Sequence, residues 1–160
     1  MLALRILDLK DFTSKLFIGE TFQHFSFVEA SFTTFVTYTL DGQLHKEFFD
    51  TEECPEQTYC LWEDVQVQCF SMIRGKRTPL NFKIVFQLSR SNVEKLLAQS
   101  GISLKADDIY GLYLNCQFDG KQLLCTTGSS LKVFTLDKQL DRVWDEMVKR
   151  FFKKNQIAFE

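Results

Sequence analysis

Proline and glycine are scarce, at two and seven copies in 160 residues, together about half the usual share. Little of the chain is therefore spent on irregular loops. Histidine occurs only at His24 and His45, which leaves few partners for a histidine-based metal site or a general base. There is no G-x-S-x-G, no P-loop, no G-x-G-x-x-G and no H-E-x-x-H, so the common nucleophile, phosphate and zinc signatures are missing. No apolar run reaches the roughly 18 residues of a membrane span. The N-terminal MLALRILDLK carries Arg5 and Asp8 too early for a signal-peptide core. The five cysteines (Cys54, Cys60, Cys69, Cys116 and Cys125) include no C-x-x-C pair, which argues against a zinc knuckle or a thioredoxin-type site. Most lie inside apolar runs and read as buried, reduced thiols of a cytoplasmic protein. No metal and no cofactor is expected.

What is present is phenylalanine, 17 copies of it, in a chain 45% apolar, 25% charged and of net charge −2. Such a chain can bury about 70% of its unfolded surface. It reads as one domain, residues 1–160, of regular elements around an aromatic core. The acid excess lies between Asp41 and Asp64; the base excess lies at the C-terminus in Lys149, Arg150, Lys153 and Lys154.

Residues 2–7 read as a short strand, and Asp8 as the cap of a helix ending near Gly19, with Leu9, Phe12, Leu16 and Phe17 at helical spacing. FQHFSFVEA alternates like a strand. TFVTYTL-DG-QLHKEFF reads as a hairpin on Asp41-Gly42. After the acidic connection DTEECPEQT comes a helix from Leu61 to Gly75, with Leu61, Val65, Cys69 and Met72 as its stripe. LNFKIVFQL is a strand, and Ser89 or Ser91 caps a helix that stops at Gly101. A second hairpin turns on Asp119-Gly120, SLKVFTL is a further strand, and Asp137 caps a long helix whose stripe is Leu140, Val143 or Trp144, Met147 or Val148, and Phe151 or Phe152.

The halves 1–78 and 79–160 echo each other. ILDLKDFTSKLFIG lies over QLSRSNVEKLLAQSG, and LWEDVQVQCF over VWDEMVKRFF, at offsets near 81 residues. The expected fold is α+β: a mainly antiparallel sheet of two related β-α-β-β-(β)-α halves, helices packed on one face. Joined edge to edge, the halves would share a pseudo-twofold axis with a groove along it. That arrangement looks like the TATA-binding-protein-like and GyrI-like duplicated domains, an analogy of fold alone.

The runs LDLKDFTSKLFIGETFQHFSFVEA, TYTLDGQL and LWEDVQVQCFSMIRGKRTPLNFKIVFQLS resemble a family of small uncharacterised bacterial proteins. The resemblance spans almost the whole chain. It implies a cytoplasmic bacterial protein and carries no activity or site residue.

Function was sought in three constellations. A groove between the halves would be walled by Trp62, Trp144, Tyr38, Tyr110 and Tyr113, with Glu63 or Glu146 as the polar anchor. It would take a small molecule or a peptide, and this non-enzymatic binding role is the leading expectation. The same acids also sit where the helix dipole favours them, and tryptophan in an apolar stripe is ordinarily core. Two basic helix ends, Arg74, Lys76 and Arg77 and again Lys149, Arg150, Lys153 and Lys154, fit phosphate contacts. An isoelectric point near 5.7 speaks against that alternative. A homo-oligomer formed through the open sheet face is the remaining one.

Overall fold

The computed structural model describes residues 1–160. The elements run β1 (Ala3–Arg5), α1 (Leu9–Phe17), β2 (Ser26–Thr33), β3 (Thr37–Asp41), α2 (Trp62–Ile73), β4 (Asn81–Gln87), α3 (Arg90–Ser100), β5 (Ile109–Phe118), β6 (Leu123–Leu131) and α4 (Gln139–Lys154). The six strands form one antiparallel sheet in the order β1-β6-β5-β4-β2-β3. The protein is α+β, as its patterning indicates.

Strand alternation divides the sheet into two unlike faces. On one, Phe32, Phe82 and Phe118 lie side by side, as do Ala30, Ile84, Cys116 and Cys125, and Phe86 and Leu114. Helices α1, α2 and α4 cover this face. Phe17 meets Phe32, Phe70 and Phe82; Trp62 meets Phe27 and Phe86; Phe12 meets Phe22 and Phe152. Most of the phenylalanine excess thus fills a single aromatic core, while Phe35, Phe48 and Phe134 stay exposed. The opposite face carries Thr37, Thr39, Glu29, Lys83, Gln117 and Arg5, all exposed.

Local signals explain the helix ends. Asp8 Oδ1 accepts the Asp11 N–H at 3.0 Å, the expected cap of α1. The last carbonyls of α1 find donors across the core. Leu16 O accepts from Trp62 Nε1 (2.7 Å) and Gln66 Nε2 (3.0 Å), and Gly19 O accepts from Gln66 Nε2 (2.8 Å). Gly101, at φ +66°, ends α3 in the left-handed conformation that glycine favours.

Several expectations need correction. β2 begins at Ser26, since residues 21–24 form turns. The first hairpin turns at residues 34–36, where the Thr34 N–H donates to Val36 O (2.8 Å), and Asp41 pairs with Glu29 inside the ladder. Pairing Phe32 with Tyr38 and Ala30 with Leu40 puts the apolar set on the covered face, and that outweighs the turn preference of Asp-Gly. Gly42 serves instead as a close approach: a Cβ there would lie 1.9 Å from Phe27 O. Residues 43–49 then leave the sheet, with a short 3-10 turn at Lys46–Phe48.

The second hairpin does close over Asp119-Gly120, but with four loop residues, Asp119–Gln122. Asp119 Oδ1 accepts the N–H groups of Lys121 and Gln122. β6 ends at Leu131, and residues 132–136 are not a strand. The α2 stripe is turned by one position from the expected one, to Trp62, Gln66, Cys69 and Ile73. Burying the indole fixes the rotation, and Gln66 follows it inward because its amide serves the end of α1. Lys138 rather than Asp137 holds the cap position of α4, although Asp137 Oδ1 accepts the Gln139 N–H at 2.9 Å.

The order β-α-β-β-α occurs twice along the chain, but the sheet has no matching twofold. β1 crosses to the far edge beside β6, and β4 lies between β5 and β2. A duplicated pairing would place β1 beside β2 as β4 lies beside β5. The axial groove expected between two edge-joined halves therefore has no place in this sheet.

Candidate functional site

A concave site lies elsewhere, on the open face at one end of β4 and β5. It is a cleft of about 530 Å³, a size that suits a small organic ligand. Its floor comes from the last residue of β4, Gln87, and the paired residue of β5, Tyr113. One wall is the acidic connection, through Glu56 and Tyr59; the other is the start of α3 and the end of β6, through Arg90 and Lys132.

Three irregularities meet at this floor. The first is a bulge. Ile109 pairs with Leu131 and Gly111 with Ser130, which leaves Tyr110 as the extra residue. Its side chain is 61% exposed, with Lys132 Nζ 5.3 Å from the ring centroid. The second is Gly111, inside a strand. A Cβ there would meet Gln87 Nε2 at 2.6 Å and the Tyr113 hydroxyl at 2.7 Å. The space a Cβ would take is occupied by the free ends of these two side chains, which lie across the glycine. The third is Gln87 itself. Its Nε2 donates to Tyr110 O (2.9 Å), while its Oε1 is closed off from solvent and has no hydrogen-bond partner.

Electrostatically the cleft is mixed. Arg90 is held by Asp107 (2.5 Å) and Glu94 (3.2 Å). The hydrogen bond to Arg90, followed by its charge, holds the Asp107 carboxyl below its usual range. Burial, and then the nearby Tyr59, pushes the Tyr113 phenol up, so it stays protonated throughout the neutral range. No histidine or thiol lines the cleft. His24 and His45 are exposed, and His45 faces Glu47 at 3.6 Å. Burial raises Cys60 to about 11 and Cys69 to about 12, which leaves both poor nucleophiles.

Of the expected groove residues, Tyr110 and Tyr113 line this cleft. The others do not. Trp62 and Trp144 are 0% and 1% exposed, and their N–H groups are used up on Leu16 O and Tyr113 O. Both are core, although Trp144 also lines a second, smaller hollow with Thr127, Asp141 and Asp145. Their acceptors lie on a helix and on a strand, so the two tryptophans are not structural counterparts. Tyr38 sits on the edge strand β3, opposite Phe32 and packed on the core. Glu63 is exposed on the first turn of α2, and Glu146 pairs with Lys149 at 3.1 Å.

The basic residues Arg74, Lys76, Arg77, Arg150, Lys153 and Lys154 are exposed and Lys149 is half-buried, at the ends of two helices that no twofold relates. Sequence reasoning passed over Tyr59, Gln87, Arg90, Gly111 and Lys132. One signal was present: an isolated glycine within the strand run IYGLYLN marks a bulge or a close approach.

The fold and site define a class: an α+β domain with one aromatic, helix-covered sheet face and a tyrosine-rimmed cleft of mixed polarity on the other. Residues 15–160 match the sequence profile of DUF5721, a family of unknown function, and the chain belongs to that family. Neither the curated proteins nor the solved structures contain a match to it. No helix is long and apolar enough to cross a membrane.

Proposed function

We propose that this protein is a non-enzymatic binding domain that holds a small organic molecule in the cleft over Gly111. The observation that carries the reading is the coincidence, in one concave place, of a strand bulge, a strand-interior glycine and an unpartnered buried acceptor. A glycine inside a strand costs about 0.5–1 kcal/mol relative to alanine. A buried polar group without a partner costs about 1–3 kcal/mol. Bulges gather next to functional sites because they re-aim side chains. A fold retains such neighbouring costs where a ligand repays them.

The location that fits is the bacterial cytoplasm. Its support is that all five cysteines are free, Cys116 and Cys125 among them at 3.7 Å between sulfurs, in keeping with a reducing compartment.

Native mass spectrometry of gently purified protein tests the reading. The expected spectrum shows a mass above the bare chain that is lost on denaturation, and Gly111→Leu removes it while the circular dichroism spectrum is unchanged. A bare mass in the wild type, together with no compound in a metabolite panel raising the melting temperature, sinks the reading.

A further inference from the structure

We infer that the cleft recognises a planar molecule through an amide-type edge, an N–H beside a C=O, with Gln87 as the residue that reads the N–H and Tyr113 as the one that reads the C=O. This rests on the binding role proposed above and names its ligand class.

The side chains over Gly111 set the requirement. Gln87 has turned its only donor group inward, to Tyr110 O. What it has left is an acceptor, Oε1, with nothing donating to it. The Tyr113 hydroxyl lies over the same glycine, 2.7 Å from where a Cβ would stand, and makes no hydrogen bond within the protein. Burial keeps this phenol protonated, so it can donate. One free acceptor beside one free donor is the complement of a primary carboxamide, a lactam or a ring imide, each of which offers a donor beside an acceptor.

Carboxylates lack a donor, and a simple ammonium lacks the acceptor. Neither satisfies both groups. The rings of Tyr59, Tyr110 and Tyr113 provide flat apolar contact for the body of the molecule. Oε1 is closed off from solvent in this structure, so an entering amide edge has to displace the side chains packed over it. Leaving Oε1 unpaired discriminates against a ligand without an N–H, because the protein then keeps its unsatisfied group.

Matched probes test this: benzamide against N,N-dimethylbenzamide, and isoindolin-1-one against its N-methyl form, titrated by ligand-observed NMR. In the wild type each N–H compound is expected to bind at least about tenfold more tightly than its methylated partner, the factor for about 1.4 kcal/mol. Gln87→Leu should abolish that preference while the methylated compounds bind as before. Tyr113→Phe should weaken both members of a pair equally.

Equal binding of both members to the wild type overturns the amide-edge inference and leaves the binding role standing. That is also the result expected if a water alone satisfies Oε1. A preference that survives Gln87→Leu overturns the role of Gln87. No binding by any probe overturns the ligand class, and the native mass spectrum then decides separately whether the binding role survives. The wild-type comparison does not depend on any variant folding.

Discussion

The two faces of the sheet are made by the same strands, often by adjacent residues, and they follow different rules. Phe86 is fully buried beneath Trp62 and Phe22, whereas its neighbour Gln87 lies on the floor of a solvent-facing cleft. On the covered face every large group is satisfied. Both indole N–H groups and the Gln66 amide have partners, and Phe17 packs edge to face on Trp62 and Phe82. On the open face an amide oxygen is left over and a glycine stands where a strand prefers a branched side chain. The difference teaches that aromatic content is a poor guide to a site. Both tryptophans and most phenylalanines here make the core, and Tyr59, Tyr110 and Tyr113 make the rim of the cleft.

The comparison can be broken by substitution. Trp62→Ala should cost about 3–5 kcal/mol in urea denaturation, the usual range for a fully buried aromatic. Tyr110→Ala, on the other face, should stay within about 0.5 kcal/mol. Similar losses for the two would erase the distinction between core and rim.

Two glycines sharpen the comparison next. Gly42→Ala forces a Cβ to 1.9 Å from Phe27 O and should cost about 1–3 kcal/mol or more, as overpacking does. Gly128 has open space around it. Gly128→Ala should be neutral or stabilising by up to about 1 kcal/mol, because alanine restricts the unfolded chain more than glycine does. Paired thermal melts would show both.

The covered face should also fail first in alkali. Burial raises the folded-state values of Cys60 and Cys69 to about 11 and about 12, from 9.0 for a free thiol. The unfolded chain therefore releases these protons first. Their contribution is fully present below about pH 9 and is lost as pH rises toward 11 and 12. Denaturation midpoints measured from pH 8 to pH 11 should fall, and Cys69→Ala should flatten the slope. A midpoint independent of pH over that range would contradict the burial of these thiols.

A modest loss is expected at a helix end. Asp8→Ala removes the acceptor of the Asp11 N–H and should cost about 1 kcal/mol. Asp8→Asn should restore most of it, since the amide oxygen also caps.

How much of this was legible beforehand follows from the range of the forces involved. The α1 cap at Asp8, the stop of α3 at Gly101 and the apolar stripe of α4 are local, and each was readable from spacing. The rotation of α2 was not, because Gln66 is buried only for the sake of carbonyls about 50 positions away. Tyr110 and Tyr113 were picked out as site residues, but for a groove on an axis that the strand order does not possess. Tyr59 and Gln87 come together only through the crossing of the acidic connection over β4 and β5, which no periodicity records.

The amino-acid sequence by itself determined the class of fold, the number and kind of most elements, and a core of phenylalanine and tryptophan. These depend on which residues are apolar and how often they recur. Tertiary structure alone decided where β1 pairs, which side of α2 is inward and where the cleft lies. Those outcomes depend on satisfying particular hydrogen-bonding groups and fitting particular volumes between segments far apart in the chain.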